Sequence, residues 1–130
     1  MKLLAYEVDK RSFLGIFNED ETWVYPISAA GMEYRSMKDL IREAGPSEME
    51  MLDYISKKMP GDVTGAAPVE EIKVVSPIAE PDQDIICLGI NYMDHAAESA
   101  RFQKEEFARP EKAIYFSKRV NRTNDPDGII

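Results

Sequence analysis

The sequence contains few residues of the kinds that build covalent or multi-ligand chemistry: one cysteine, one histidine and one tryptophan in 130 residues. A single cysteine excludes an internal disulfide and sets the expectation of a reducing, cytoplasmic setting. A single histidine excludes a multi-histidine zinc site within the chain. No apolar run exceeds a few residues, so no stretch suits a transmembrane helix, and no membrane partner is expected. Residues 1–30 lack the order of a signal peptide, because charged and polar residues interrupt each short apolar stretch. Sixteen Lys and Arg against 24 Asp and Glu leave a net charge of −8, which argues against nucleic acid as a general partner. Internal repeats and low-complexity tracts are also lacking.

What is present is an ordinary globular balance, 44% apolar and 31% charged. The length suits one domain, or a small domain joined to part of another. Residues 2–8 alternate, with Leu4, Tyr6 and Val8 on one side, which predicts a half-buried strand. Asp9 to Ser12 reads as a turn, and Phe13 to Phe17 as a second strand in which Gly15 marks a bulge or a close approach. A polar turn at residues 18–21 leads to a third strand over Trp23 to Tyr25, stopped or placed at a sheet edge by Pro26. Ser36 is suited to cap a helix carrying Met37, Leu40, Ile41 and Ala44, ended by Gly45-Pro46. Ser47 with Glu50 reads as a capping box for a second helix carrying Met49, Leu52, Ile55 and Met59. The methionines read as core filler.

Residues 60–83 are rich in Pro and Gly and read as a linker with one embedded strand, Ile72 to Val75. The expected division is a small N-terminal domain over 1–70 and a second domain beginning at 71. Ile85 to Leu88 is a continuous apolar run, which predicts a strand buried on both faces. Cys87 lies in that run with no base beside it in sequence and reads as a buried, inert thiol. Asn91, with Asp94 three residues later, suits the start of a helix running to about residue 100, and Ala113 to Phe116 reads as another strand. Asn121 to Gly128 reads as a turn, after which Ile129-Ile130 resembles the entry to a further strand. The chain is therefore expected to be the N-terminal part of a larger fold.

Chemistry concentrates around the one histidine. His95 and Glu98 stand three residues apart, on one face of the predicted helix. A carboxylate beside an imidazole fixes its tautomer and raises its basicity, the arrangement of a general base. The plain alternative is a surface pair of no catalytic consequence, with Asn91 and Asp94 as simple caps.

The string Gly89-Ile90-Asn91-Tyr92-x-x-His95-x-x-Glu98 is followed by Pro110 to Lys118, containing Phe116-x-Lys118. Together these resemble the fumarylacetoacetate hydrolase family over about residues 72–130. The preceding meander and helix pair resemble the variable N-terminal domain of many bacterial members. The resemblance implies an α+β chain, with an antiparallel meander and two short helices followed by the first strands and the dyad helix of a mixed β-rich fold, homodimeric when complete. It implies action on diketo or oxo acids: hydrolysis of acylpyruvates, decarboxylation of oxaloacetate-like acids, or isomerisation of hydroxydiene diacids in aromatic catabolism. By the same resemblance His95 and Glu98 form the catalytic dyad, and Asn91, Tyr92 and Lys118 contact the substrate. A divalent metal, Mg²⁺ or Mn²⁺, is implied for the complete enzyme, held by a Glu-x-Glu pair and a later Asp downstream of the F-x-K element. Glu19-x-Glu21 and Glu48-x-Glu50 precede the histidine, the wrong order, and are not expected to be that pair. Without those ligands the 130 residues alone are expected to be inactive.

Two other readings stay open. In one, the chain is a non-catalytic binding or regulatory module that uses residues 101–122, with seven bases and three acids, on an acidic partner. In the other, Phe102, Phe107, Tyr115 and Phe116 among those bases stack on nucleic acid. The apolar strand around Tyr115 and Phe116 favours core packing over the latter.

Overall fold

The computed structural model describes residues 1–89 and 113–129. They fall into two units, one formed by Met1–Ala79 with the segment returning from Thr123, the other within Glu80–Arg122.

The first unit is α+β. Its antiparallel sheet contains β1 (Leu3–Val8), β2 (Arg11–Phe17), β3 (Trp23–Pro26), β4 (Ala67–Pro68) and β5 (Lys73–Val75), in the order β4-β3-β2-β1-β5. The β1–β2 turn is shorter than the sequence suggested. Asp9 and Lys10 both take positive φ (49° and 63°), as a two-residue hairpin of the primed type requires, so Arg11 and Ser12 already pair within β2. Gly15 is a close approach. A Cβ there would lie 2.8 Å from Tyr6 Cε1, 2.9 Å from Val24 Cγ1 and 3.0 Å from the Tyr25 carbonyl oxygen. Pro26 closes β3 opposite Gly15, where losing an amide costs little.

Two helices follow, α1 (Met37–Glu43) and α2 (Pro46–Ser56). Ser36 caps α1 as expected, accepting from the Asp39 amide at 3.2 Å. The start of α2 differs from expectation by two residues. Gly45 is its N-cap, Pro46 occupies the first turn, and Glu48 reaches back to accept the Gly45 amide at 2.7 Å, the half of a capping box that needs no N-cap side chain. Proline at a first helical position has no amide to lose and a φ already suited to the helix, so Gly-Pro here opens a helix as well as ending one.

The helices cover one sheet face. Ile16 and Tyr25 from the sheet pack with Met37, Leu40, Leu52 and Ile55. The seam is narrower than the apolar pattern: Ile41 is exposed, and Met59 lies beyond the end of α2 and is also exposed. The opposite face holds Leu4, Tyr6 and Val24 against Val69, Ile72 and Val74. β1 is thus buried on both sides. β5 pairs with β1, so the strand expected inside the linker belongs to the first unit, which extends past residue 70 to Ala79.

The second unit contains β6 (Ile85–Leu88) and β7 (Tyr115–Lys118), paired antiparallel. The expectation that β6 is buried on both faces is not met. Ile86 is 75% exposed and Tyr115 66% exposed, because among the described residues this is a two-stranded ribbon with no layer packed on either side. No helix among the described residues is long and apolar enough to cross a membrane.

Candidate functional site

β6 and β7 carry the two ends of the motif described above. The register sets Ile85 opposite Lys118, Ile86 opposite Ser117, Cys87 opposite Phe116 and Leu88 opposite Tyr115. The ladder closes with the Gly89 amide donating to the Ile114 carbonyl at 2.8 Å. Gly89, which opens the G-x-N-Y string, stands at one end, and Lys118 stands exposed at the other. About 13 Å of strand separates these ends. Asn91, Tyr92, His95 and Glu98 lie outside the described residues. Lys118 is the one sequence-expected site residue whose position is described. Cys87 keeps a free thiol, partly exposed rather than buried.

Among the described residues no group of three or more His, Cys, Asp or Glu side chains is arranged to hold a metal ion. The two upstream Glu-x-Glu strings have structural employment. Glu21 receives the Lys2 ammonium at 2.5 Å in the turn before β3. Asp20 beside it accepts from the Thr22 amide at 3.1 Å and from the Thr22 hydroxyl, and these bonds hold its carboxyl below the usual range. Glu48 accepts from the Tyr34 hydroxyl at 2.5 Å as well as from the Gly45 amide.

The Tyr34–Glu48 pair makes stability depend on pH at both extremes. The hydrogen bond from Tyr34, followed by that from Gly45, lowers the Glu48 pKa. The same bond to Glu48 is the main reason the Tyr34 phenol is pushed up to about 12. A raised phenol supports the fold fully below its unfolded value, about pH 10, and that support is lost as pH rises toward about 12. A lowered carboxylate supports the fold above its ordinary value, and that support is lost as pH falls through the folded one. Tyr34→Phe is therefore expected to lower the thermal midpoint near neutral pH, to flatten its decline between about pH 10 and about 12, and to flatten the acid limb as well, because the folded Glu48 pKa moves back toward its ordinary value. A midpoint profile identical to that of the unsubstituted protein would remove the pair from this role. Tyr6 and Tyr25, raised chiefly by burial, and Lys57, raised chiefly by its bond to Asp53, add to the alkaline decline.

A groove of about 620 Å³ in the first unit is lined by Tyr6, Arg11, Phe13, Pro26 and Thr64, among others. Sequence reasoning did not mark it, because its walls come from three separated segments. The site candidate Lys118 is not among those walls.

Comparison with curated proteins bears out the resemblance to the fumarylacetoacetate hydrolase family. One relative is the oxaloacetate tautomerase YisK of Bacillus subtilis (strain 168), 38% identical over 128 residues, a match covering 91% of this chain. The chain spans 41% of the length of that relative. No family model matches the chain.

Proposed function

We propose that the chain is the N-terminal part of an enzyme that moves a proton on an oxo acid, of which oxaloacetate is the nearest example. The observation that carries this reading is the match to an oxaloacetate tautomerase across 91% of the chain, motif segment included. The second unit is then the start of a fumarylacetoacetate hydrolase-like catalytic fold.

The proposed chemistry uses the dyad. Enol-to-keto conversion removes a proton from the enol oxygen and adds one at the neighbouring carbon, so atoms and charge balance. The imidazole of His95, a side chain able both to accept and to donate a proton, takes the first proton and delivers the second. Glu98 holds the ring in the tautomer that does so. Asn91, Tyr92 and Lys118 bind the substrate, Lys118 as a cation for a carboxylate. C–C hydrolysis and decarboxylation begin from the same enolate-like species and differ in what leaves.

Members of this family generally use divalent metals. The described residues do not provide a site for one, and no step is assigned to it. Mg²⁺ or Mn²⁺ on ligands outside this sequence, a homodimer, and a cytoplasmic setting complete the proposed whole protein. The 130-residue chain mixed with Mg²⁺ and oxaloacetate is therefore expected to leave tautomerisation at its spontaneous rate. Acceleration by this chain that His95→Ala abolishes would overturn the proposed inactivity. A polypeptide continued through a Glu-x-Glu pair and a later Asp that shows no activity on oxo acids would overturn the function.

A further inference from the structure

We propose that the groove on the first sheet, on the face opposite the helices, binds an aromatic α-amino acid. The ligand ring lies on Tyr6 and Phe13, the Tyr6 hydroxyl meets a polar group on the far edge of that ring, and Arg11 and Asp9 take the carboxylate and the ammonium. The site belongs wholly to the first unit and does not depend on the reaction proposed above.

Strand register builds the groove. Tyr6 pairs with Phe13 and Val8 with Arg11 across β1 and β2, so alternation sets all four on one face. Pro26 pairs with Gly15 and stands on the same face. The segment before β4 supplies the other wall, with Gly65 close against Pro26. The resulting volume, about 620 Å³, lies within the range of small-molecule sites, about 300–1,000 Å³.

The floor is aromatic. The Tyr6 and Phe13 rings lie 5.6 Å apart with a 30° tilt, and Phe13 is 41% exposed. The missing Cβ of Gly15 leaves room for the Tyr6 ring against β2. A third ring extends such a pair favourably. Tyr6 itself is only 3% exposed, yet its hydroxyl makes no hydrogen bond to a described residue. Burial alone pushes its phenol up, with no bond to offset it. Among the described residues no fully sealed side-chain oxygen lacks a partner, so this hydroxyl keeps an opening, and Tyr6 is a wall of the groove. A buried hydroxyl in that position is stabilised by a ligand that supplies its hydrogen bond.

The rim carries both charges. Asp9 and Arg11 flank Lys10 at the β1–β2 hairpin, are exposed, and both line the groove. Neither forms an ion pair with the other or with another described residue. Opposite charges held apart beside an apolar floor complement a zwitterion rather than a single ion. The Arg11 fork suits a carboxylate, and the Asp9 carboxylate suits an ammonium. Arg11 and Gly15 are four residues apart along β2, about 13 Å. A molecule the size of tyrosine covers that length together with the arginine side chain.

Titration of the 130-residue chain with L-tyrosine, followed by amide chemical shifts, tests this. Saturable shifts are expected at Val8, Arg11 and Phe13, and none at Met51 on α2. Tyr6→Phe is expected to weaken L-tyrosine about fivefold and to leave L-phenylalanine, which has no ring hydroxyl, unchanged. Arg11→Gln is expected to weaken L-tyrosine about fivefold without weakening tyramine, which has no carboxylate. Asp9→Asn is expected to do the same without weakening desaminotyrosine, which has no ammonium. Arg11 and Asp9 are exposed, and Asn accepts the positive φ of Asp9, so these two variants keep the fold. Absence of saturable shifts at the groove would overturn the proposal. So would Arg11→Gln or Asp9→Asn chains that bind L-tyrosine as the unsubstituted chain does, or that lose the truncated analogue equally. Binding is read rather than turnover, so failure here leaves the proposed reaction untouched, and an inactive enzyme leaves the groove untouched.

Discussion

Leu52→Ala is expected to lower the unfolding free energy of the first unit by about 2–5 kcal/mol. Leu52 is fully buried at the contact between α2 and the sheet, in the cluster that includes Ile16, Tyr25, Leu40 and Ile55. Truncation removes the transfer free energy of the lost carbons and leaves a cavity that the sheet and helix close only partly. The total stability of a small domain is about 5–15 kcal/mol, so this single change removes a large share. Trp23, the only tryptophan, packs against the same cluster and reports the transition by fluorescence during urea unfolding. Met51→Ala on the same helix is the control. Met51 is 45% exposed, and its loss is expected to stay within about 0.5 kcal/mol. A Leu52→Ala midpoint equal to that of Met51→Ala would show that α2 is not packed on the sheet as described.

The elements whose signals are local were legible in the sequence. Alternation over residues 2–8 and the polar turns marked the meander, and Ser36 with its i, i+3 apolar partners marked α1. Gly15 in a strand announced a close approach, and Tyr6 and Val24 are what approach it. Elements that depend on partners far along the chain were not legible. β4 is two residues long and includes a proline, and only pairing with Trp23 and Val24 makes it a strand. β5 carries a strand-like sequence, but nothing in it announces β1 as its neighbour. The start of α2 is not legible because Gly-Pro serves equally as a helix stop and a helix start, and Glu48, not Glu50, reaches back to the N-cap. The apolar run of β6 signals burial, yet burial needs a second layer that the sequence of the strand cannot supply.

The same division holds for chemistry. The proposed dyad is visible as a motif because His95 and Glu98 stand three residues apart. Asp125 lies in a stretch whose composition signals a turn, and its carbonyl accepts the Gly128 amide at 2.9 Å. Its carboxylate, however, serves Lys73 and Ser76 from across the chain, a role no local pattern encodes.

His95→Ala in the whole protein is the second large effect, and it bears on the claim that an imidazole steered by a carboxylate transfers the proton. A positioned general base contributes about 10²–10⁴-fold. Its removal is therefore expected to lower kcat for oxaloacetate tautomerisation by that factor while leaving KM nearly unchanged, because alanine removes no substrate-binding charge. Glu98→Gln keeps the shape and a hydrogen bond but not the charge, so a smaller loss is expected, with the limiting pKa of the rate profile moved downward. The most direct measurement is the rate of enol-to-keto conversion of oxaloacetate by the whole protein, before and after His95→Ala. A fall of about 10²–10⁴-fold is the predicted result; a variant that converts oxaloacetate as fast as the unsubstituted protein would contradict it.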